Sequence, residues 1–370
     1  MIRVGDPKGV LDTPAMLVDL DLAESNVRRL MEALRGSPVS VRPHLKTVKS
    51  PEFARLLLAA GARGVCVAKL SEAEVMAASG IEDILITTEL GTGPKLERLV
   101  ALLREHPAVK VVVDSVAGAD ALQRALAPAQ LSLQVLLDVD VGQARTGVLP
   151  GAPALALARH IAGLSTLRLI GLQGYEGHLQ HVADPRERAQ HCREAMSGLT
   201  STASELRTAG HPILVVSTGG TGTAEICALC PGVTEVQPGS FIFLDTSYRA
   251  VLGERYDCAL SILSSVISRP RPGEAIVDAG LKSLATDSGF AQPKAPADFT
   301  GRGMSYRPAG DEHGILSWDP QSGLELDVGA RVELIPSHID TTVNLHDQYY
   351  VLRQERLVAI WPVAARGKVQ

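Results

Sequence analysis

The sequence has no excess of positive charge. Its 36 lysines and arginines stand against 41 aspartates and glutamates, a formal net charge of -5 over 370 residues. That argues against a nucleic-acid partner, which a clustered basic face would hold. No apolar run approaches the roughly 18 residues that a membrane-spanning helix requires. The opening stretch "MIRVGDPKGVLDTP" has two prolines and no apolar core, so it does not read as a secretory signal. Cysteine is scarce and odd in number, five in all, which argues against a disulfide framework and for a reducing, cytoplasmic setting. The lone CxxC, Cys227 to Cys230, has no second pair to complete a structural zinc site.

What is present is ordinary for a globular protein: 45% hydrophobic residues and 21% charged. The length suits one large domain and a second one. Eight short β-branched runs recur: "VSVRPHL" (39–45), "RGVCVAKL" (63–70), "DILITTEL" (83–90), "KVVVDS" (110–115), "LSLQVLLDVDV" (131–141), "LIGLQGYEG" (169–177), "ILVVSTGG" (213–220) and "TEVQPGSFIF" (234–243). Helix-like stretches lie between them; the one at "DPRE" begins with Asp184 as cap and Pro185 in the first turn, and stops at Gly210. Buried strands each followed by a helix predict a parallel sheet, and eight such units predict a (β/α)₈ barrel over residues 21–255. After residue 255 the pattern turns mostly to strands, which predicts a β domain over 256–370. The strand "AMLVDLD" precedes the first barrel helix, and we expect residues 1–20 to join that β domain.

Barrels of this kind gather their chemistry at the C-terminal ends of the strands, with phosphates often bound after strands 7 and 8. Strand 7 runs into "STGGTGT" (217–223) and strand 8 through "QPGS" (237–240). One glycine-rich turn means little; two at the expected positions point to a phosphate-bearing ligand. Strand 1 ends at Lys46, strand 2 at Lys69, strand 5 leads to Arg145, and strand 6 to Tyr175, His178 and His181. A lysine beside a phosphate site suggests pyridoxal 5'-phosphate (PLP), whose aldehyde condenses with a lysine amine. Lys46 is preferred to Lys69, which has Glu72 and Glu74 close by to pair with.

Together "RPHLK", "ARGVCVAKLSEAE", "DVDVGQARTGV", "GLQGYEGHLQH", "GGTGT", "EVQPGSFIF", "DAGLKS", "DEHG" and "PSHIDTTVNLHD" resemble the D-threonine aldolase and D-serine dehydratase branch of the alanine racemase-like PLP enzymes. The resemblance runs in order along nearly the whole chain. One departure is Val48, where relatives often carry a histidine. The resemblance implies Lys46 as the PLP lysine and His181 as the base. It also implies Arg145 facing the cofactor's phenolic oxygen, Tyr175 at its ring or phosphate, and Gly220, Thr221, Gly239 and Ser240 as the phosphate cradle. His338 and Asp340, which face one side of an extended segment, would hold a divalent cation. An HxD pair resembles the aldolases, whereas the dehydratases resemble HxC. A carboxylate favours Mn²⁺ or Mg²⁺ over Zn²⁺. The implied activity is cleavage of D-threonine and related β-hydroxy-D-amino acids by a homodimer. The alternative is a PLP- and metal-dependent dehydratase of D-serine or 3-hydroxy-D-aspartate. His313 of "DEHG" has no role that the sequence supplies.

Overall fold

The computed structural model describes residues 2–91, 93–294 and 303–370. It divides into two compact units. A β unit comprises Met1–Arg29, Thr47–Lys49 and Ser240–Arg366; a barrel unit comprises Leu30–Lys46, Ser50–Gly239 and Gly367–Gln370. The division therefore falls after residues 29 and 239, where the sequence suggested 20 and 255, and it moves Thr47–Lys49 out of the barrel unit.

The first strand, β1 (Ala15–Asp19), belongs to the β unit. The barrel strands are β2 (Ser40–Val41), β3 (Val65–Val67), β4 (Ile84–Ile86), β5 (Lys110–Val113), β6 (Leu133–Asp138), β7 (Leu167–Gln173), β8 (Val215–Thr218) and β9 (Glu235–Val236). All eight sequence-derived runs are strands, parallel, in the order β2-β9-β8-β7-β6-β5-β4-β3. The ring continues from the first strand to the second through a parallel bridge between His44 and Cys66. There the Leu45 N–H donates to the Cys66 carbonyl and the Cys66 N–H to Pro43, each at 2.8 Å. The (β/α)₈ expectation is met.

The helices between strands follow local signals. The long helix Pro185–Thr208 is capped by Asp184, whose Oδ1 accepts from the N–H groups of Arg186 (2.7 Å) and Glu187 (3.2 Å). It ends before Gly210, which adopts φ +89°, as a left-handed stop requires. One side chain from each of six consecutive strands, Cys66, Leu85, Val112, Leu136, Ile170 and Val215, forms a continuous apolar layer. Beneath Lys46 the first strand is pinned by an ion network. Buried Arg42 meets Glu235 at 2.9 Å and Asp83 at 2.7 Å, and Lys110 reaches Asp83 at 2.7 Å. A Cβ on Gly64 would lie 2.3 Å from the Arg42 guanidinium, so only glycine admits this approach.

In the β unit, β1 lies between the antiparallel β10 (Leu260–Ser268) and the parallel β16 (Gln348–Arg353), so the N-terminal strand joins the C-terminal sheet as expected. The sheet also holds β11 (Glu274–Val277), β12 (Gln292–Lys294), β13 (Ser305–Pro308), β14 (Gly314–Ser317), β15 (Arg331–Ile335) and β17 (Arg356–Pro362).

Candidate active site

Each unit contributes its own cluster of chemistry-bearing side chains. In the barrel unit, Lys46 follows the His44–Cys66 bridge and is half-buried. Its N–H donates to His44 Nδ1 at 3.3 Å, which leaves Nε2 to donate to Thr87 Oγ1 at 3.0 Å; that hydroxyl donates to the Val67 carbonyl at 3.1 Å. His44, passed over in the sequence, thus fixes the backbone at the lysine. The His44 N–H donates to the Pro238 carbonyl at 3.0 Å, which lays the lysine strand beside the loop that ends at Gly239. That loop is joined to the preceding one, because the Gln237 N–H donates to both Thr218 and Gly219, each at 2.9 Å. The lysine strand and both glycine-rich loops are therefore neighbours. This arrangement fits an aldehyde-bearing phosphate.

The glycines also admit the chain's own side chains. The N–H groups of Gly219 and Gly220 donate to Glu176, and that of Gly222 to Gln180 Oε1 at 2.8 Å. A Cβ on Gly220 would lie 2.5 Å from Gln180 Oε1, and one on Gly222 would lie 2.4 Å from the Gln180 carbonyl. These glycines permit close packing of the loop on the chain's own Glu176 and Gln180.

Arg145 and Tyr175, separated by thirty positions, are brought together: the guanidinium carbon lies 5.7 Å from the ring centroid. The Arg145 loop is held by Asp138, which accepts from Thr146 Oγ1 at 2.9 Å and Gln173 Nε2 at 3.1 Å. Asp140 Oδ1 braces the same loop by accepting from Gly142 (2.9 Å) and Ala144 (3.1 Å). His178 and His181 are both exposed, and the His178 ring faces Gly142 of the arginine loop. Among the described residues no ion pair joins Lys69 to Glu74, whose partner is Arg98 at 2.6 and 2.8 Å. Glu72 accepts from the backbone N–H of Ala68 (2.8 Å) and Lys69 (3.2 Å).

Sequence reading also missed an acid cluster at the strand ends. Burial pushes the Glu89 carboxyl up to about 7, aided by nearby Asp138 and Asp114. Asp138 is raised too, first by burial. Each acid closes an apolar strand, which is the signal that was available.

In the β unit, the pair does not sit on the extended segment that the sequence suggested: His338 is the N-cap residue of a short helix, Ile339–Val343, and Asp340 lies in its first turn, with Nε2 and Oδ2 3.9 Å apart. His338 Nδ1 lies 2.5 Å from Asp287 Oδ2, and Asp287 Oδ1 accepts from Thr341 Oγ1 at 2.8 Å. Burial would raise Asp287, but these two bonds and the imidazole hold it below the usual carboxylate range. A carboxylate behind an imidazole orients the far nitrogen outward, the usual device of a metal-binding histidine. Asp340 Oδ2 accepts from Thr47 Oγ1 at 3.1 Å and from Ser240 Oγ at 3.4 Å, so Ser240, expected in the phosphate cradle, directs its hydroxyl to the acid. Asp245 accepts from the N–H groups of Tyr248 (2.9 Å) and Ile339 (3.2 Å) and holds the backbone between the two candidate ligands; burial pushes it up to about 6. Among the described residues no group of three or more His, Cys, Asp or Glu side chains is arranged for a metal ion. His338 and Asp340 offer one imidazole nitrogen and one carboxylate. That suits a hard cation completing its shell with water or substrate oxygen. His313 is exposed between β13 and β14 and gains no role.

Comparison with known proteins gives the family. The alanine racemase N-terminal domain matches residues 18–247, and the putative serine dehydratase domain matches 259–352. A D-threonine aldolase of Arthrobacter sp. is 38% identical over 366 residues, 98% of this chain and 95% of that one. A 3-hydroxy-D-aspartate aldolase of Paracoccus denitrificans is 32% identical over 373 residues, covering 98% and 94%. The crystal structure of a D-threonine aldolase from Filomicrobium marinum superposes with TM-score 0.94 at 36% identity, covering 100% of this chain and 99% of that one. The D-threo-3-hydroxyaspartate dehydratase from Delftia sp. gives 0.85 at 32%, covering 96% and 98%. With domains, order and length all shared, this chain is a lyase of the alanine racemase-like family, in its D-threonine aldolase and D-serine dehydratase branch.

Proposed function

We propose that this lyase cleaves D-threonine and related β-hydroxy-D-amino acids to glycine and an aldehyde. The observation that carries the reading is Asp340, a carboxylate where a thiolate would accompany dehydration, set 3.9 Å from His338 Nε2. Lys46 would hold PLP through its amine, and the cofactor would supply an electrophilic carbon for the substrate amine and an electron-accepting ring. Arg145, Tyr175, Gly220, Thr221, Gly239 and Ser240 are the residues that would orient and retain it. His338 and Asp340 would hold the divalent cation, Mn²⁺ or Mg²⁺ in preference to Zn²⁺, which supplies Lewis acidity. His181 takes the proton from the β-hydroxyl as the Cα–Cβ bond breaks and the aldehyde carbonyl forms; Cα is then protonated to give glycine. Residues 21–255 act as the cofactor domain, and 1–20 with 256–370 as the metal domain. We extend the proposal to a homodimer in the cytoplasm, the latter supported by five free thiols, four of them buried.

A dehydratase of D-serine or 3-hydroxy-D-aspartate is the second reading, supported by 32% identity to the D-threo-3-hydroxyaspartate dehydratase of Delftia sp.. Incubation with D-threonine separates the two. Glycine and acetaldehyde support cleavage, and 2-oxobutanoate supports dehydration.

A further inference from the structure

Glu176 is fully buried, next in sequence to Tyr175, and no sequence signal had marked it. Its carboxylate accepts five hydrogen bonds. Thr218 Oγ1 (2.8 Å) and the Gly219 N–H (3.3 Å) reach Oε2. The Gly220 N–H (3.3 Å), Thr223 Oγ1 (2.5 Å) and Gln180 Nε2 (3.1 Å) reach Oε1. All five donors are neutral, and four come from the stretch 218–223. A buried carboxylate is costly without donors, and its oxygens accept from every direction in which donors here converge. Gln180 completes the frame, accepting from the Gly222 N–H (2.8 Å) and donating to Thr223 Oγ1 (2.8 Å).

The peptide planes of Gly219 and Gly220 are thus set from beneath by one side chain. We propose that Glu176 is the positioning residue that holds the Gly219–Thr223 loop in its phosphate-receiving shape; this rests on the reading of that loop as a phosphate site. Two rival roles predict different signs. If Glu176 were only a nearby negative charge, its neutralisation would strengthen binding of a phosphate. If it were only a packing element, its loss would lower stability without regard to which ligand is bound. A positioning role predicts a loss confined to ligands that carry the phosphate.

The test is affinity of the apo-protein for PLP and for pyridoxal, which lacks the phosphate, followed by visible absorbance in wild type and Glu176→Gln. The glutamine amide turns a donor toward donors, so the PLP-to-pyridoxal affinity ratio should fall by about 10-fold or more, the scale of one or two lost charge-assisted bonds. Glu176→Asp, which keeps the charge, should lose less. Thr218→Val removes one donor without altering the carboxylate, and should lower the ratio in the same direction if the glutamine variant does not fold. A ratio unchanged or raised in the variants overturns the role of Glu176. A wild type that binds pyridoxal as tightly as PLP overturns the phosphate reading itself.

Discussion

The barrel unit and the β unit hold their functional side chains by different means. In the barrel, Lys46 and the two glycine-rich loops are joined strand to strand and loop to loop by backbone bonds and braced by the buried side chains of Glu176 and Gln180. In the β unit, His338 and Asp340 are fixed by side chains, Asp287, Thr341, Thr47 and Ser240, around a half-open surface. A site held by side chains has acceptor oxygens that a cation can recruit. The two units should therefore be separable by experiment.

The largest effect is expected at Lys46. Lys46→Ala should lose its visible PLP absorbance and activity together, and borohydride reduction of the wild type should label Lys46. Label on Lys69 instead would break the assignment of the barrel unit.

Removing divalent cations should abolish turnover while PLP stays bound, with Mn²⁺ restoring the rate. Full activity in a metal-free preparation, measured by glycine release, would end the metal role of His338 and Asp340; loss of PLP alongside the cation would end the separation of the two units.

His181→Ala should cut cleavage by roughly 10²-fold, the usual scale for losing a general base. His178→Ala should do much less, although its ring packs on the arginine loop. The reverse ranking in kcat would move the base to His178.

The smallest effect concerns the acids at the barrel strand ends. A carboxyl raised from 4.5 to about 7 in the fold adds stability that is fully present below about 4.5 and is lost as pH rises through about 7. Water screens this half-exposed group, so the effect is on the order of 1 kcal/mol. In Glu89→Gln that decline between pH 5 and 8 should flatten, as read by denaturant midpoints across the range. An unchanged profile would place the titration elsewhere.

The barrel was legible because a strand buried on both faces writes itself as a continuous apolar run, and the chain repeats it eight times before Ser240. The caps of the helix at Pro185–Thr208 were equally plain. Strands β12, β13 and β14 were not marked, being three or four residues long with alternating or partial burial. Candidate site residues that end strands were visible, whereas Glu176, Asp287 and Asp245 were not. Their importance lies in which donors reach them across more than forty positions, a relation without local periodicity. That the missing side chains of "GGTGT" also admit Gln180 is equally invisible in the sequence, since Gln180 lies about forty positions away.

The most direct test of the aldolase reading is to follow, in one wild-type preparation supplied with PLP and Mn²⁺, glycine formed from D-threonine and pyruvate formed from D-serine. Cleavage should exceed dehydration by a wide margin, because Asp340 and not a thiolate stands beside His338. Pyruvate forming faster than glycine would contradict it.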